Sequence, residues 1–251
     1  MTQLSARRIL ILGGTHEARR LADELSQQDR HFSVITSLAG RTQSPIVPAG
    51  AVRVGGFGGI NGLHAFLIRN AIDILIDATH PFATRMTFNA IAATRAAQCS
   101  YYRLCRPPWV PHVSDRWTHV DTIGEAAQKL KPGSIALLTI GHQRLAAFAA
   151  RRDVRMIART IEAPAEDLPD HITIVRSRPP FSLTQERDAF VRYRIDTLVT
   201  KNAGGSSVEA KLAVARERAI QVIMIKRPAS HRHADAGTVK DMLALLRQHV
   251  G

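Results

Sequence analysis

The feature that most constrains this chain is a regular alternation of short apolar runs with stretches of helical periodicity. Runs rich in β-branched residues and leucine recur along the 251 residues in two series. This alternation predicts βα units and parallel sheets, and nearly continuous apolar runs are typical of strands covered on both faces. The predicted strands are 8–12, 32–37, 51–54, 72–77 and 100–104, then 135–140, 154–158, 172–176, 197–200 and 221–225.

The two series have similar spacing, and a proline-rich stretch at 107–111 separates them. Proline interrupts helices and central strands, so this stretch predicts a connector. We predict two α/β domains with doubly wound, mainly parallel sheets. The N-terminal domain is expected over residues 1–108 and the C-terminal domain over 109–251. The segment 117–121 is expected to add an edge strand to the second domain.

Two helices in the second half carry further predictions. Ser206 and Glu209 have the spacing of a capping box, so a helix is expected over 206–218. The last helix, 238–249, is assigned with the rest of the second half to the C-terminal domain.

The composition excludes several classes of protein. The chain is 45% hydrophobic and 22% charged, which is enough apolar material for a core. No apolar run approaches about 18 residues, and the N-terminal segment lacks the pattern of a signal peptide. Cys99 and Cys105 match neither a metal motif nor a disulfide framework. A cytoplasmic location is therefore expected.

The net charge of +13 predicts an acidic partner: nucleic acid, a phosphorylated cofactor or a polycarboxylate. No Lys/Arg run exceeds two residues and aromatic residues make up only 5%, which argues against a dedicated nucleic-acid binder. An arginine-rich composition unrelated to function also explains the charge, so both explanations stay open.

Gly13, Gly14 and Thr15 follow the first predicted strand and open the first helix. Backbone N–H groups at a helix N-terminus bind phosphate, and glycine lets the phosphate approach. The dinucleotide fingerprint is only partly met, because Thr15 stands where a second glycine is expected. The pattern fits both a cofactor-binding turn and an ordinary turn between a strand and a helix.

The end of the second predicted strand carries no carboxylate to bind a ribose hydroxyl. Ser37, Gly40 and Arg41 stand there instead, and a hydroxyl with a guanidinium suits the 2′-phosphate of NADPH. Gly56 belongs to the run Gly55-Gly56-Phe57-Gly58-Gly59, which allows a ligand to come close to the backbone. Alternatively, Arg41 is a solvated loop residue and the glycine run is a flexible surface turn.

Thr79 and His80 follow the fourth predicted strand. Ligands of open α/β sheets bind beyond the carboxyl ends of the strands, so these residues are expected near the reacting groups. His80 is a candidate to orient substrate or relay a proton. A simple helix cap is the alternative.

Basic residues recur at the matching positions of the second half. His142, Arg159, Lys201 and Arg227 follow four of its predicted strands and together favour carboxylate or phosphate binding. The sequence has no P-loop, HExxH motif, nucleophile elbow or CxxC pair. Hydride transfer needs none of these, because the cofactor carries the chemistry.

Taken together, the motifs resemble the precorrin-6A reductase family of cobalamin biosynthesis. The matching stretches are GGTHEARRLA at 13–22, DATHPFA at 77–83, YYRLCRPPW at 101–109, LTIGHQ at 138–143, LVTKNAGG at 198–205 with Lys211, and KRP at 226–228. One departure is Arg178-Pro179-Pro180-Phe181, where the family resemblance leads us to expect a Gly-Pro-Phe turn.

The resemblance implies two Rossmann-like domains with an interdomain cleft, of which the N-terminal domain binds NADPH and the C-terminal domain binds the substrate. It implies an enzyme that uses NADPH to reduce a ring C=C bond of precorrin-6A, a tetrapyrrole polycarboxylate, to give precorrin-6B. His80 and Lys201 become candidate catalytic residues. The candidate cofactor-binding residues are Gly13, Gly14, Thr15, Ser37, Gly40, Arg41, Gly56 and Thr79. The candidate substrate-binding residues are Arg103, His142, Arg159, Lys201, Asn202, Gly204 and Arg227. No metal, nucleic acid or membrane partner is expected.

Three alternatives remain at this point. One is an NADP-dependent reductase of another polyanionic small molecule, and another is a non-catalytic nucleotide- or RNA-binding α/β module. The third is a sensor that binds NADPH without turnover. Whether the substrate carries cobalt, which group donates the proton, and the oligomeric state are left open.

Overall fold

The computed structural model describes residues 6–28, 31–40, 46–165, 167–228 and 234–248. They form two compact units: unit 1 comprises Met1–Pro107 and Pro228–Gly251, and unit 2 comprises Pro108–Arg227. Within the described ranges, no helix is long and apolar enough to cross a membrane.

Unit 1 is a parallel sheet with helices on both faces. Its strands are β1 (Arg7–Leu12), β2 (Phe32–Leu38), β3 (Ala51–Val54), β4 (Ile74–Asp77) and β5 (Ser100–Arg103), in the order β3-β2-β1-β4-β5. Its helices are α1 (His16–Gln28), α2 (Ile60–Arg69), α3 (Thr84–Ala97) and α7 (Val239–Arg247). This is the Rossmann order, in which the direction of strand addition reverses between β1 and β4.

Strand β1 shows why this sheet has two covered faces. Ile9 and Ile11 pack into one apolar cluster, and Leu10 and Leu12 pack into another on the opposite face. Side chains alternate between the faces of a strand, so a continuous apolar run supplies both cores at once.

Unit 2 repeats the arrangement with an added edge strand. Its strands are β6 (Arg116–Val120), β7 (Ile135–Thr139), β8 (Arg155–Thr160), β9 (Ile172–Arg176), β10 (Thr197–Lys201) and β11 (Gln221–Ile225). The order β6-β11-β10-β7-β8-β9 is parallel throughout and reverses between β7 and β10. The helices are α4 (Ile123–Gln128), α5 (Leu183–Arg192) and α6 (Ala210–Glu217).

The predicted strands are confirmed with shifts of a few residues at their ends, and β6 confirms the predicted edge strand. The capping box predicted at Ser206 and Glu209 is wrong. The chain first makes a short 3₁₀ helix, Ser206–Val208, and α6 begins after it without a side-chain cap. A capping box does open α5, where Ser182 and Gln185 exchange side-chain and backbone hydrogen bonds.

The C-terminal segment differs from the predicted division at residues 108 and 109, because Pro228–Gly251 belongs to unit 1. Val239, Met242 and Leu246 on α7 pack into the cluster of Ile9 and Ile11. Upstream of the helix, Ala236 pairs with Leu104 beside β5. Periodicity identifies the apolar face of such a helix and leaves open which sheet that face covers.

Candidate functional site

The turn between β1 and α1 lies at the reversal point of the first sheet. Gly14 has φ +102°, and a Cβ built on it would meet nothing within 4 Å. The position therefore needs glycine for its conformation and leaves open space in front of the turn. The Gly13 N–H donates to the Ser37 carbonyl at 2.9 Å, which ties the turn to the end of β2.

Thr15 joins this turn to the neighbouring strand. Its hydroxyl accepts from the Ala18 N–H at 3.1 Å, as a helix cap does, and donates to the Ala78 carbonyl at 2.7 Å. The hydroxyl is thus engaged within the fold. Thr15 therefore positions the turn, and the remaining N–H groups at the start of α1 are of the kind that binds phosphate.

Asp77, the last residue of β4, is fully buried and organises the segment after it. Its carboxylate accepts from the Thr79 hydroxyl at 2.6 Å, the Thr79 N–H at 3.1 Å and the Thr87 hydroxyl at 2.5 Å. The Tyr101 hydroxyl adds a contact at 3.2 Å. Thr79 is therefore fixed at the strand end, and the half-buried His80 follows it, with Nδ1 accepting from the Phe82 N–H at 3.2 Å.

Arg103, predicted to bind substrate, lies inside unit 1. It is 3% exposed and forms an ion pair with Asp77, with a further bond of 2.7 Å to the Thr87 hydroxyl. Burial by itself lowers the pKa of the Arg103 guanidinium, but Asp77 and Tyr101 raise it overall. Substrate binding by Arg103 would need an accessible positive charge. In the structure, that charge is neutralised by the carboxylate of Asp77.

The glycine-rich loop after β3 is anchored by an arginine that the sequence analysis did not single out. Arg53 donates to the Ser37 hydroxyl at 3.0 Å, the Gly55 carbonyl at 2.8 Å and the Gly56 carbonyl at 3.0 Å. Its guanidinium lies 3.9 Å from the centre of the Phe57 ring. Burial lowers the pKa of Arg53 below its ordinary value.

The same loop lies close against α2. A Cβ on Gly62 would lie 1.6 Å from the Phe57 carbonyl oxygen, so only glycine fits there. Gly40 stands on the other side, beside Val54 and Gly55. Ser37, Gly40 and Gly56 thus gather at the ends of β2 and β3, as predicted for one site, while Arg41 lies outside the described residues.

In unit 2, the reversal point brings together the ends of β7 and β10. The Lys201 ammonium donates to the Ile140 carbonyl at 2.6 Å, which places it beside the turn that begins with Gly141. The half-buried His142 follows on a 3₁₀ helix, His142–Phe148. Lys201 and His142 are therefore carried by adjoining strand ends.

The segment after β10 contains Asn202 and Gly204, and Arg227 donates to its backbone. The Asn202 amide accepts from the Trp109 N–H at 2.8 Å and donates to the Trp109 carbonyl at 3.0 Å. Arg227 donates to the carbonyls of Asn202 and Ala203 at 2.8 and 2.9 Å. Gly204 is buried, with φ +67°. These contacts give Asn202 a structural task at the connector and fix the direction of the Arg227 guanidinium.

Arg159, which was also predicted to bind substrate, pairs with an internal carboxylate as Arg103 does. It makes two hydrogen bonds, of 2.6 and 2.9 Å, to the fully buried Glu186, and its guanidinium lies 4.5 Å from the Phe181 ring centre. The pair is internal to unit 2, so Arg159 is neutralised by a neighbouring helix.

Three residues of these sites were missed: Arg53, Asp77 and Trp109. Arg53 lies two residues before the glycine run, and its strand register with Ser37 is the signal that could have found it. Asp77 and Trp109 lie within the motifs that carried the resemblance, but their partners are distant in sequence.

Two parallel sheets in Rossmann order, each with glycine-rich strand ends at its reversal point, define an α/β protein of the nucleotide-binding class. The model of the family described as "Precorrin-6x reductase CbiJ/CobK" matches residues 8–247. The chain belongs to this family of reductases, which use a nicotinamide cofactor.

Similar proteins agree along nearly the whole chain. A precorrin-6A reductase of Rhodococcus erythropolis is 41% identical over 222 residues, covering 88% of this chain and 89% of that protein. A precorrin-6A reductase of Rhodobacter capsulatus is 38% identical over 247 residues, covering 96% of each. The solved structure of a CobK precorrin-6A reductase matches with a TM-score of 0.90 at 37% identity, covering 97% of both chains.

Proposed function

We propose that this chain reduces a ring C=C bond of precorrin-6A to give precorrin-6B, with NADPH as the reductant. The observation that carries the proposal is the open glycine turn at Gly14, at the reversal point of the first sheet of a chain matched from residue 8 to 247 by a reductase family. Unit 1 binds the cofactor in this proposal and unit 2 binds the macrocycle.

The residues at the end of the first sheet fit a dinucleotide. Gly14 and the start of α1 would bind the pyrophosphate, because their N–H groups lie at a helix N-terminus and a side chain at Gly14 would fill the space. Gly13, whose N–H is bonded to the Ser37 carbonyl, would hold the turn in place. Ser37, Gly40, Arg41 and Gly56 would hold the adenosine end. The bound cofactor supplies the hydride, and a proton added to the neighbouring carbon completes the reduction.

Thr79 and His80 would lie beside the nicotinamide. The buried Asp77 carboxylate holds the hydroxyl and N–H of Thr79, so this segment is ordered before any ligand arrives. Preorganisation matters here, because hydride moves only between carbons that are held close and aligned.

The substrate carboxylates would be held by His142, Lys201 and Arg227. Lys201 and Arg227 have their cationic groups oriented by backbone carbonyls, which restricts them to a few directions. Asn202 and Gly204 support this strand end. Arg103 and Arg159 are assigned structural tasks instead, since each is bound to an internal carboxylate.

The candidate proton donors are His80, Lys201 and water, and mutagenesis distinguishes them. If His80 donates the proton, His80→Ala lowers turnover while NADPH binding stays close to wild type. Unchanged turnover in that variant would eliminate His80, and the same comparison with Lys201→Ala then separates Lys201 from water.

The proposal is tested by incubating the purified chain with metal-free precorrin-6A and NADPH. We expect loss of cofactor absorbance matched by a product two hydrogens heavier, and much weaker activity with NADH. Reaction only with the cobalt-containing macrocycle would reassign the substrate. Tight NADPH binding without either reaction would favour the sensor, and salt-dependent RNA binding without cofactor preference would favour the RNA-binding module.

A further inference from the structure

Arg53 differs in its partners from three other inward-facing arginines. Arg103 pairs with Asp77, Arg106 with Glu17 and Arg159 with Glu186. Among the described residues, no carboxylate forms an ion pair with Arg53, and its hydrogen bonds go to two carbonyls and a hydroxyl. A half-buried cation with only neutral partners leaves a positive charge available to an anion.

The guanidinium of Arg53 is also held in one orientation. Nη1 donates to the Ser37 hydroxyl and the Gly55 carbonyl, and Nη2 donates to the Gly56 carbonyl. The Phe57 ring lies beneath it and the Phe66 ring centre is 5.3 Å away. Of the five N–H groups of an arginine, these contacts use three, so Nε–H and one Nη2–H remain for a ligand.

Ser37 links this cation to the phosphate-binding turn. Its carbonyl accepts from Gly13 at the start of the turn, and its hydroxyl accepts from Arg53. Ser37 and Arg53 are register partners on the adjacent parallel strands β2 and β3. In Rossmann folds the end of the second strand is where the adenosine ribose binds. Arg53 therefore stands where a 2′-substituent of that ribose would be recognised.

We propose that Arg53, positioned by Ser37 and stacked on Phe57, binds the 2′-phosphate and selects NADPH over NADH. This inference rests on the proposed function. Arginine matches phosphate oxygens with paired N–H groups, and a cation already fixed in place loses little conformational freedom on binding. With NADH, the same site receives a neutral hydroxyl and gains no ion pair.

The test is calorimetric binding of NADPH and NADH to the full-length chain, with adenosine 2′,5′-bisphosphate and adenosine 5′-monophosphate as fragment probes. Arg53→Gln keeps a polar side chain but removes the guanidinium and its charge. We expect it to weaken NADPH and the bisphosphate by about 10- to 100-fold, the range of a hydrogen bond to a charged group. NADH and the monophosphate are expected to bind as in wild type, and Arg53→Lys is expected to retain part of the preference.

Arg69→Gln is the matched control, because Arg69 is an exposed arginine in the same unit and its loss changes the net charge equally. It should leave all four affinities unchanged. Equal losses of NADPH and NADH in Arg53→Gln would overturn the inference, since they would mean that Arg53 only supports the loop. Unchanged NADPH binding would overturn it as well.

Two further arms keep the outcome interpretable. Should Arg53→Gln fail to fold by thermal melting, Arg53→Lys and Ser37→Ala decide, because each is expected to lower NADPH affinity selectively. A wild-type chain that binds neither nicotinamide cofactor would overturn the proposed function itself. A wild-type preference for NADPH that survives in all the Arg53 and Ser37 variants would overturn only this inference.

Discussion

At the scale of single residues, the partners of each arginine decide what it does. Arg103 and Arg159 are neutralised by Asp77 and Glu186, two fully buried carboxylates. A buried ion pair adds little to stability relative to an apolar pair, but removing one partner leaves an uncompensated charge and is costly. The strand-end arginines therefore divide into those paired with an internal carboxylate and those proposed to bind a ligand.

The Arg159 pair gives a prediction about stability. Arg159→Ala leaves Glu186 buried without its partner, and we expect a loss of about 3–5 kcal/mol in the free energy of unfolding, measured with urea. The control is Arg187→Ala, which removes a pair with Glu217 whose side chains are 49% and 41% exposed. It should cost far less, because solvent screens an exposed ion pair. Equal effects of the two variants would contradict the structural role of Arg159.

Tyr101 gives a prediction about pH. Burial and the neighbouring Asp77 carboxylate raise the pKa of its phenol well above the ordinary value. The unfolded chain then releases this proton more readily than the folded one, so the stabilising contribution is complete below about pH 10 and is lost as the pH rises. Wild type should lose stability more steeply than Tyr101→Phe as the pH rises above about 10.

Urea unfolding of both proteins across this range checks the prediction. At neutral pH the difference between them reports only the lost hydrogen bond to Asp77. Parallel curves for wild type and Tyr101→Phe at alkaline pH would contradict the raised pKa.

Residue-level roles were the part least accessible to sequence. The sequence placed Arg103, Arg159, Lys201 and Arg227 at strand ends, and the structure confirms those positions. The sequence does not indicate that two of these arginines, Arg103 and Arg159, pair with carboxylates that are distant along the chain. Arg53 was missed for the converse reason, because its partners lie in a loop whose folded path depends on glycine conformations.

At the scale of elements, strands were predictable because an apolar run must be covered on both faces wherever it lies. The first residues of helices were harder to predict than strands. Ser206 and Glu209 match a capping box, yet Gly205 with φ +81° starts a 3₁₀ helix there instead. A capping-box sequence does not form its cap when the backbone conformation just before it directs the chain into a 3₁₀ helix.

Helix α7 provides a prediction at this scale. Leu246→Ala should cost about 2–5 kcal/mol, since it opens a cavity in a buried cluster. Hydrogen exchange should show lost protection in β1 and α1 of unit 1 and unchanged protection in β7 and β10 of unit 2. Val191→Ala on α5, which is 57% exposed, is the control. Loss of protection confined to unit 2 would contradict the assignment of α7.

At the scale of the whole molecule, the two units use one plan. Each has a parallel sheet with a reversal point, and at each reversal point a strand end carries glycine. Sequence spacing predicted this plan, but it could not predict that Pro228–Gly251 belongs to the first unit, because covalent order does not determine which core a terminal helix completes. The net charge of +13 agrees with two anionic ligands, a dinucleotide and a polycarboxylate.

We propose that this chain itself transfers hydride from NADPH to precorrin-6A. The most direct measurement is the product mass after incubation with NADPH that carries deuterium at the transferred position of the nicotinamide, in ordinary water. We expect a product that has gained one deuterium from the cofactor and one hydrogen from solvent, formed in proportion to the NADPH consumed. A product without deuterium, or cofactor oxidation without a change in the macrocycle, would contradict it.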